Sequence, residues 1–333
     1  MVGNRTERLR ASRTALLGLA LWALALTQGA QGEPPAAAPR PAVLASASQL
    51  MTPMWTLAGG QVVEGMAPGG MPSAFAPTRG YQPFVRPVAA AAQGPDVYVA
   101  DAGTGAIWRY DLTLQRMAPL PGVRALVGTK LAVGADRSLY VLDPTGRRVL
   151  QFANDGRPLA TLGDALNLGR PVGLAFDPRG RVLIADGMFQ QLVAFHAFGG
   201  TPYVLPLRAR EARQARNLAG IAADAQGLYL SDLVCHCVLH ATLEGEIIER
   251  YGEEHLEMPG AIAADGMGRV FVVDNLDGAL RVFEGGGLAY ELKPAEVGLV
   301  RIDDVWIGEG IIVLSDGMGA RVQVARLVPP GKG

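Results

Sequence analysis

Val97-Tyr-Val-Ala-Asp101 is a short run of β-favouring residues that stops at an aspartate, and the figure returns five more times along the chain. The copies are Leu139-Tyr-Val-Leu-Asp143, Val182-Leu-Ile-Ala-Asp186, Leu228-Tyr-Leu-Ser-Asp232, Val270-Phe-Val-Val-Asp274 and Ile312-Val-Leu-Ser-Asp316. Successive aspartates are 42, 43, 46, 42 and 42 residues apart. A period of that length, held across most of the chain, marks a repeat architecture in which one supersecondary unit is copied.

Working outward, each aspartate-ending run follows a strand of small apolar residues and a turn: VAAAAQG at 88–94, LAVGADRS at 131–138, VGLAFDPRG at 172–180, AGIAADAQG at 219–227, AIAADGMG at 261–268 and DVWIGEG at 304–310. Alanine and glycine suit an inner strand, where copies crowd around an axis. After the aspartate come a short turn and a third strand (107–111, 149–153, 192–196, 238–242, 280–284, 322–327). A more variable outer strand follows (117–122, 158–163, 202–207, 247–252, 289–294). Only five units have that outer strand. The sixth stops near Leu327, while Met54-Trp-Thr-Leu-Ala-Gly-Gly60 has the shape of an outer strand ahead of the first unit. The expectation is an all-β, six-bladed β-propeller, its sixth blade closed by the N-terminal strand. Circular closure removes the free sheet edges that an open array would expose.

The remaining chain divides around that core. Arg5, Arg8, Arg10 and Arg13 precede an apolar run from Ala15 to Leu26, and Ala30-Gln31-Gly32 fits a small-x-small cleavage site. Residues 1–32 therefore read as a signal peptide, the run being short for a spanning helix. A Pro/Ala-rich linker follows at 33–50, the propeller at 51–328 and a tail at 329–333. Nothing after the signal is expected to cross a membrane as a helix. Net charge is −1, which gives no electrostatic case for nucleic acid. The two cysteines, Cys235 and Cys237, do not make a disulfide-stapled scaffold. The sequence points to an exported chain, periplasmic or secreted, expected to be a monomer.

The order small strand, turn, aspartate-ending strand, short turn and a strand that keeps parts of Arg-Val-x-Val-Phe resembles the NHL-repeat family. It is carried by Asp143-Pro-Thr-Gly-Arg-Arg-Val-Leu-Gln-Phe152 and Asp316-Gly-Met-Gly-Ala-Arg-Val-Gln-Val324. Asp186-Gly-Met-Phe-Gln-Gln-Leu-Val-Ala-Phe195 departs from it. The resemblance covers roughly residues 51–328 and implies the propeller fold, with function left open because one fold hosts many activities. Within it, a binding or scaffold module is the first expectation, taking an envelope protein or a small anionic ligand at the channel mouth. The alternative is a metal-dependent enzyme, similar to the amidating lyases or the lactonase-like hydrolases, which would use calcium or zinc. The lyase type implies several channel histidines. The lactonase type implies Glu, Asn and Asp, of which Asn217 and Asp303 or Asp304 supply two.

Candidate site residues follow from position. The residues entering the inner strands line one mouth of the channel: Arg86, Thr129, Arg170, Asn217, Met258 and Arg301. Three arginines there would suit a carboxylate or phosphate, since guanidinium groups bind these through paired donors. Against this, Asp303 and Asp304 stand close to Arg301. The six repeated aspartates read as turn acceptors, and Asp136, Asp177, Asp224 and Asp265 as hairpin-turn residues. Cys235-His236-Cys237 with His240 is read on the third strand of blade four. Alternation there sends the cysteines to one face and the histidines to the other, which splits any shared metal site. Weak metal candidates are Asn217, Asp303, Cys235 and Cys237. Met51, Met54, Met66 and Met71 read as packing residues, and Met66–Tyr81 as a long loop able to cover a mouth.

Overall fold

The second strand of most blades is buried along its length, as in Asp96–Asp101, Arg181–Asp186, Gly227–Asp232 and Arg269–Asp274. A strand flanked by neighbours in its own sheet and by sheets on both faces must be apolar throughout, which is why these runs show no alternation. The coordinates are a computed structural model and describe residues 46–63, 78–162, 168–196, 201–209 and 214–331. The expected signal peptide, most of the linker, and Met66 and Met71 lie outside them.

Six sheets make the ring, each with a four-stranded antiparallel blade. Blade one holds Pro87–Gln93, Asp96–Asp101, Ala106–Asp111 and Arg116–Pro119, inner strand first. Blade two holds Lys130–Val133, Leu139–Asp143, Arg148–Phe152 and Pro158–Leu162. Blade three runs from Pro171–Phe176 to Tyr203–Leu205 and blade four from Leu218–Asp224 to Ile247–Tyr251. Blade five runs from Pro259–Ala264 to Gly287–Leu292. Blade six holds Asp304–Gly308, Ile311–Asp316, Arg321–Leu327 and, as its outer strand, Met51–Leu57.

The core is divided as the ring is. Among the described residues, one apolar cluster fills each blade-to-blade interface. Tyr98 and Ile107 meet Val141 and Phe152 between blades one and two. Tyr140 and Leu142 meet Ile184 and Phe195 between two and three. The ring-closing interface is built the same way: Leu57, Val322 and Val324 of blade six pack on Val97, Val99 and Trp108 of blade one. Each fully buried side chain of this size stabilises by roughly 1.5–3 kcal/mol.

The closing strand lies earlier than its sequence suggests. Met51 pairs with Leu327 and Leu57 with Val322, with a bulge between Pro53 and Trp55. Proline is tolerated there because the strand is an edge. Buried Leu50 and Met51, which pack with blades five and six, set the start three residues before Met54. The strand ends at Leu57 because Ala58 carries the chain across to blade one. There Gly59–Val63 pairs in parallel with Arg116–Pro119, and Thr78–Pro83 pairs antiparallel with Gly59–Val63. Blade one is thus six-stranded, and the expected loop to Tyr81 is strand from Thr78 onward. Gly59 and Gly60 belong to this crossing, not to the closing strand. A Cβ on Gly59 would lie 2.3 Å from the Gln82 carbonyl oxygen, and one on Gly60 2.7 Å from the Tyr110 ring.

Candidate functional site: the central channel and its mouth

The strand-ending aspartates build the mouth without entering it. Asp101 accepts the backbone N–H of Arg86 at 2.7 Å, of Val85 at 2.9 Å and of Gly103 at 2.9 Å. Asp186 does the same for Gly169, Arg170, Met188 and Phe189. Asp232 holds Arg216 and Asn217, Asp274 holds Glu257 and Met258, and Asp316 holds Val300. A buried carboxylate clamps the segment leading into the inner strand to the turn that follows the second strand. Blade two differs: Asp143 holds its own turn, through Thr145 and Gly146, and accepts from Arg148 Nε at 3.2 Å. Thr129 instead closes a local turn, its hydroxyl accepting the Leu126 N–H at 3.0 Å. Burial alone would raise the Asp186 carboxyl, but the four amides outweigh it and hold it below the usual carboxylate value.

The expected mouth residues divide into two sectors. Arg170 of blade three donates to Asn217 Oδ1 of blade four and to the Gly187 carbonyl, both at 2.9 Å. On the far side of the ring, Arg301 of blade six donates to Asp303 at 2.9 Å and to the Asn275 carbonyl of blade five. Arg86 joins that second sector: a Cβ on Gly317 would meet Asp303 Oδ2 at 3.0 Å and Arg86 Cγ at 3.3 Å. Arg86 is exposed, with no side-chain partner among the described residues. Met258 is 44% exposed, and Thr129 is buried in its own turn. Two arginines are thus partly satisfied by neighbours and one is open.

Below the mouth lies a cavity of about 340 Å³, lined by the inner strands of all six blades. Its wall is almost wholly small or apolar. Besides Glu309, an ion pair breaks it: Lys130 Nζ of blade two donates to Asp304 Oδ1 of blade six, bridging over blade one. Register explains how they meet. Lys130 faces Leu142 and Asp304 faces Ser315, each the residue before its blade's terminal aspartate. The equivalent positions in blades one, three and four are Ala89, Gly173 and Gly220, and Ala261 stands at this level in blade five. At that level the cavity wall is a lysine, an aspartate, two glycines and an alanine, while Ala89 is fully buried in the interface with blade two. The Lys130 side chain is 21% exposed and that of Asp304 7%. Burial pushes the Asp304 carboxyl up, Lys130 pulls it back and Asp303 adds to the rise; the net direction is upward. The lining also includes Trp306, Phe176, Gly134, Gly308 and Glu309.

The sequence named Asp304 as one of two lactonase-type ligands and as an acid close to Arg301, and passed over Lys130. The signal was present: the chain has only three lysines, Lys130, Lys293 and Lys332, and one of them opens an inner strand whose neighbours are alanine and valine.

The histidine–cysteine cluster sits differently from its sequence reading. Cys235 and His236 lie in the turn before the third strand, which begins at Cys237. Cys235 and Cys237 are joined in a disulfide, so neither offers a thiolate to a metal. His236 donates Nδ1–H to the Glu257 carbonyl, and the His240 ring stacks on Tyr229 at 4.7 Å. Asp303, paired with Arg301, also accepts the Gly317 N–H at 2.7 Å. Among the described residues no histidine lines the cavity, and no group of three or more His, Cys, Asp or Glu side chains is placed to hold a metal ion.

Fold and closure together define a six-bladed β-propeller. No protein-family model matches the sequence, and no curated protein matches it either. Solved structures do resemble it. A protein of unknown function from Bacteroides thetaiotaomicron is 16% identical, with a TM-score of 0.59 over 74% of this chain and 70% of that one. A catalytically inactive variant of virginiamycin B lyase from Staphylococcus aureus, solved with quinupristin, is 13% identical. Its TM-score is 0.53 over 74% of this chain and 85% of that one. A chain of a nidogen/laminin complex is 17% identical, with a TM-score of 0.54 over 72% and 94%. At such identities the likeness is one of fold.

Proposed function

We propose that this chain is an exported, NHL-type propeller acting as a binding module for a small amphiphilic anion. The apolar body would occupy the central channel, and the acidic head would meet Lys130 and the mouth arginines. The observation that carries this reading is the cavity walled by the inner strands, where Gly173, Gly220 and Ala261 stand at the level of Lys130 and Asp304. The wall of that cavity is mostly small or apolar, and Lys130, paired with Asp304, places an ammonium in it. Ligand pockets are commonly of this kind, mostly apolar with a few placed polar groups. The N-terminal signal reading supports a periplasmic or secreted location, and nothing in the reading requires more than a monomer. The same cationic rim would also suit an acidic segment of an envelope protein, which the test separates.

Anilinonaphthalenesulfonate, an apolar ring system carrying one sulfonate, is a suitable probe. Its fluorescence should rise saturably on titration of the folded protein. The affinity should fall at least about tenfold, near 1.4 kcal/mol, in an Arg86→Ala/Arg170→Ala/Arg301→Ala variant. No saturable binding, or binding indifferent to all three changes, contradicts the reading. Binding of an acidic protein without binding of the probe would replace it with the protein-docking one.

A further inference from the structure

We propose that Cys235–Cys237 is an exchangeable disulfide that accepts electrons from an exposed dithiol, with Cys235 as the attacked sulfur and Cys237 as the leaving one. This goes beyond the channel reading and is independent of it.

The first argument is that the bond does little for the fold. It spans a sequence separation of 2, with the Cα atoms 5.1 Å apart. A cross-link closing so short a loop removes little freedom from the unfolded chain. Nor does the turn depend on it. The fourth residue past the terminal aspartate has positive φ in every blade: Gly105 at 73°, Arg147 at 51°, Gln190 at 54°, His236 at 54°, Gly278 at 72° and Ala320 at 52°. Five blades reach this conformation with no disulfide. In blade four the Asp232 carboxylate holds the Val234 and Cys235 amides at 2.8 and 3.2 Å. Asp186 holds Met188 and Phe189 in the same way in blade three.

The second argument is the asymmetry of the two sulfurs. Cys237 is fully buried in the apolar interface between blades three and four. Cys235 is half-buried and lines a surface pocket of about 200 Å³ with Gln214, Arg216, Val234, Arg250 and Glu253. Only Cys235 is open to an incoming thiolate, and two guanidinium groups stand in its pocket. Positive charge beside a cysteine favours its thiolate, which lowers the cost of holding the reduced pair. Arg250 pairs with Glu253 at 2.5 Å, so Arg216 is the residue to vary.

The exchange balances within the two partners. A thiolate of the dithiol attacks Cys235 Sγ. The Cys235–Cys237 bond breaks, and its electron pair leaves on Cys237, which takes a proton. The second thiolate of the dithiol then attacks its own mixed-disulfide sulfur and releases Cys235 as thiolate. The dithiol becomes a disulfide and this pair becomes reduced, a two-electron transfer.

The test equilibrates the folded protein with graded mixtures of reduced and oxidised dithiothreitol, followed by alkylation and mass measurement. The pair should be reduced without denaturant, and the reduced protein should melt within about 2 °C of the oxidised one. In Cys237→Ser, a single-thiol probe disulfide should be captured at Cys235. Iodoacetamide should alkylate reduced Cys235 several-fold more slowly at neutral pH in Arg216→Ala, with the difference closing at high pH. Reduction only in denaturant, or a large loss of melting temperature on reduction, would make the bond a structural staple. An alkylation profile unmoved by Arg216→Ala would remove the guanidinium from the account and overturn the asymmetry argument.

Discussion

Asp186 shows how a single side chain can be architecture while looking like chemistry. Its four backbone N–H partners hold the carboxyl below its ordinary value. Stabilisation from a depressed carboxyl is complete above the unfolded value of about 3.9 and is lost as pH falls through the lower folded value. Asp186→Asn should therefore cost about 2–3 kcal/mol in urea denaturation at neutral pH. The gap from the parent protein should close under acid. Asp304 shows the opposite sign. The Asp304 carboxyl is raised, so its contribution weakens as pH climbs from the ordinary carboxylate value through the folded one. Lys130→Met strands a buried carboxylate and should cost about 3–5 kcal/mol at neutral pH, recovering in part as acid neutralises Asp304. The double variant Lys130→Met/Asp304→Leu should return to within about 1 kcal/mol of the parent, because a buried ion pair is replaceable by apolar groups. Thermal melts of the three proteins across pH check both signs.

At the scale of elements, the closing strand and the crossing after it carry the prediction. Met51–Leu57 covers the last strand of blade six, and Gly59–Val63 binds the outer edge of blade one, so a short segment ties both sides of the closure. Deleting residues up to Leu57 should bare the edge of Arg321–Leu327, lower the melting temperature by well over about 5 °C and promote aggregation. An unchanged melt would refute closure by this strand. Gly60→Val should act at the same place, since its Cβ would collide with Tyr110. The repeat was legible in the sequence because the aspartate-ending strands recur at a nearly fixed period. The strand boundary was not. Trp55 and the paired glycines look like the end of one strand, whereas the end is set by the approach of Gly59 to Gln82 and of Gly60 to Tyr110. Those contacts arise only when distant segments meet.

For the whole molecule, the ring turns local identities into one chamber. Arg86, Thr129, Arg170, Asn217, Met258 and Arg301 were placed at the mouth by counting along the repeat. Their division into an Arg170–Asn217 sector and an Arg86–Arg301–Asp303 sector depends on which blades adjoin. Lys130 and Asp304 are 174 residues apart in sequence, and no local pattern pairs them. Only circular closure puts blade two and blade six on either side of blade one's alanines. The measurement that bears most directly on the channel is calorimetric titration of the folded protein with octanesulfonate and, in parallel, octanol. The two share an apolar body and differ in the acidic head. The account predicts saturable binding of the sulfonate at least about tenfold tighter than the alcohol, with that preference reduced in Lys130→Met/Asp304→Leu. Equal affinity for the two, or a preference undiminished by the double change, would contradict it.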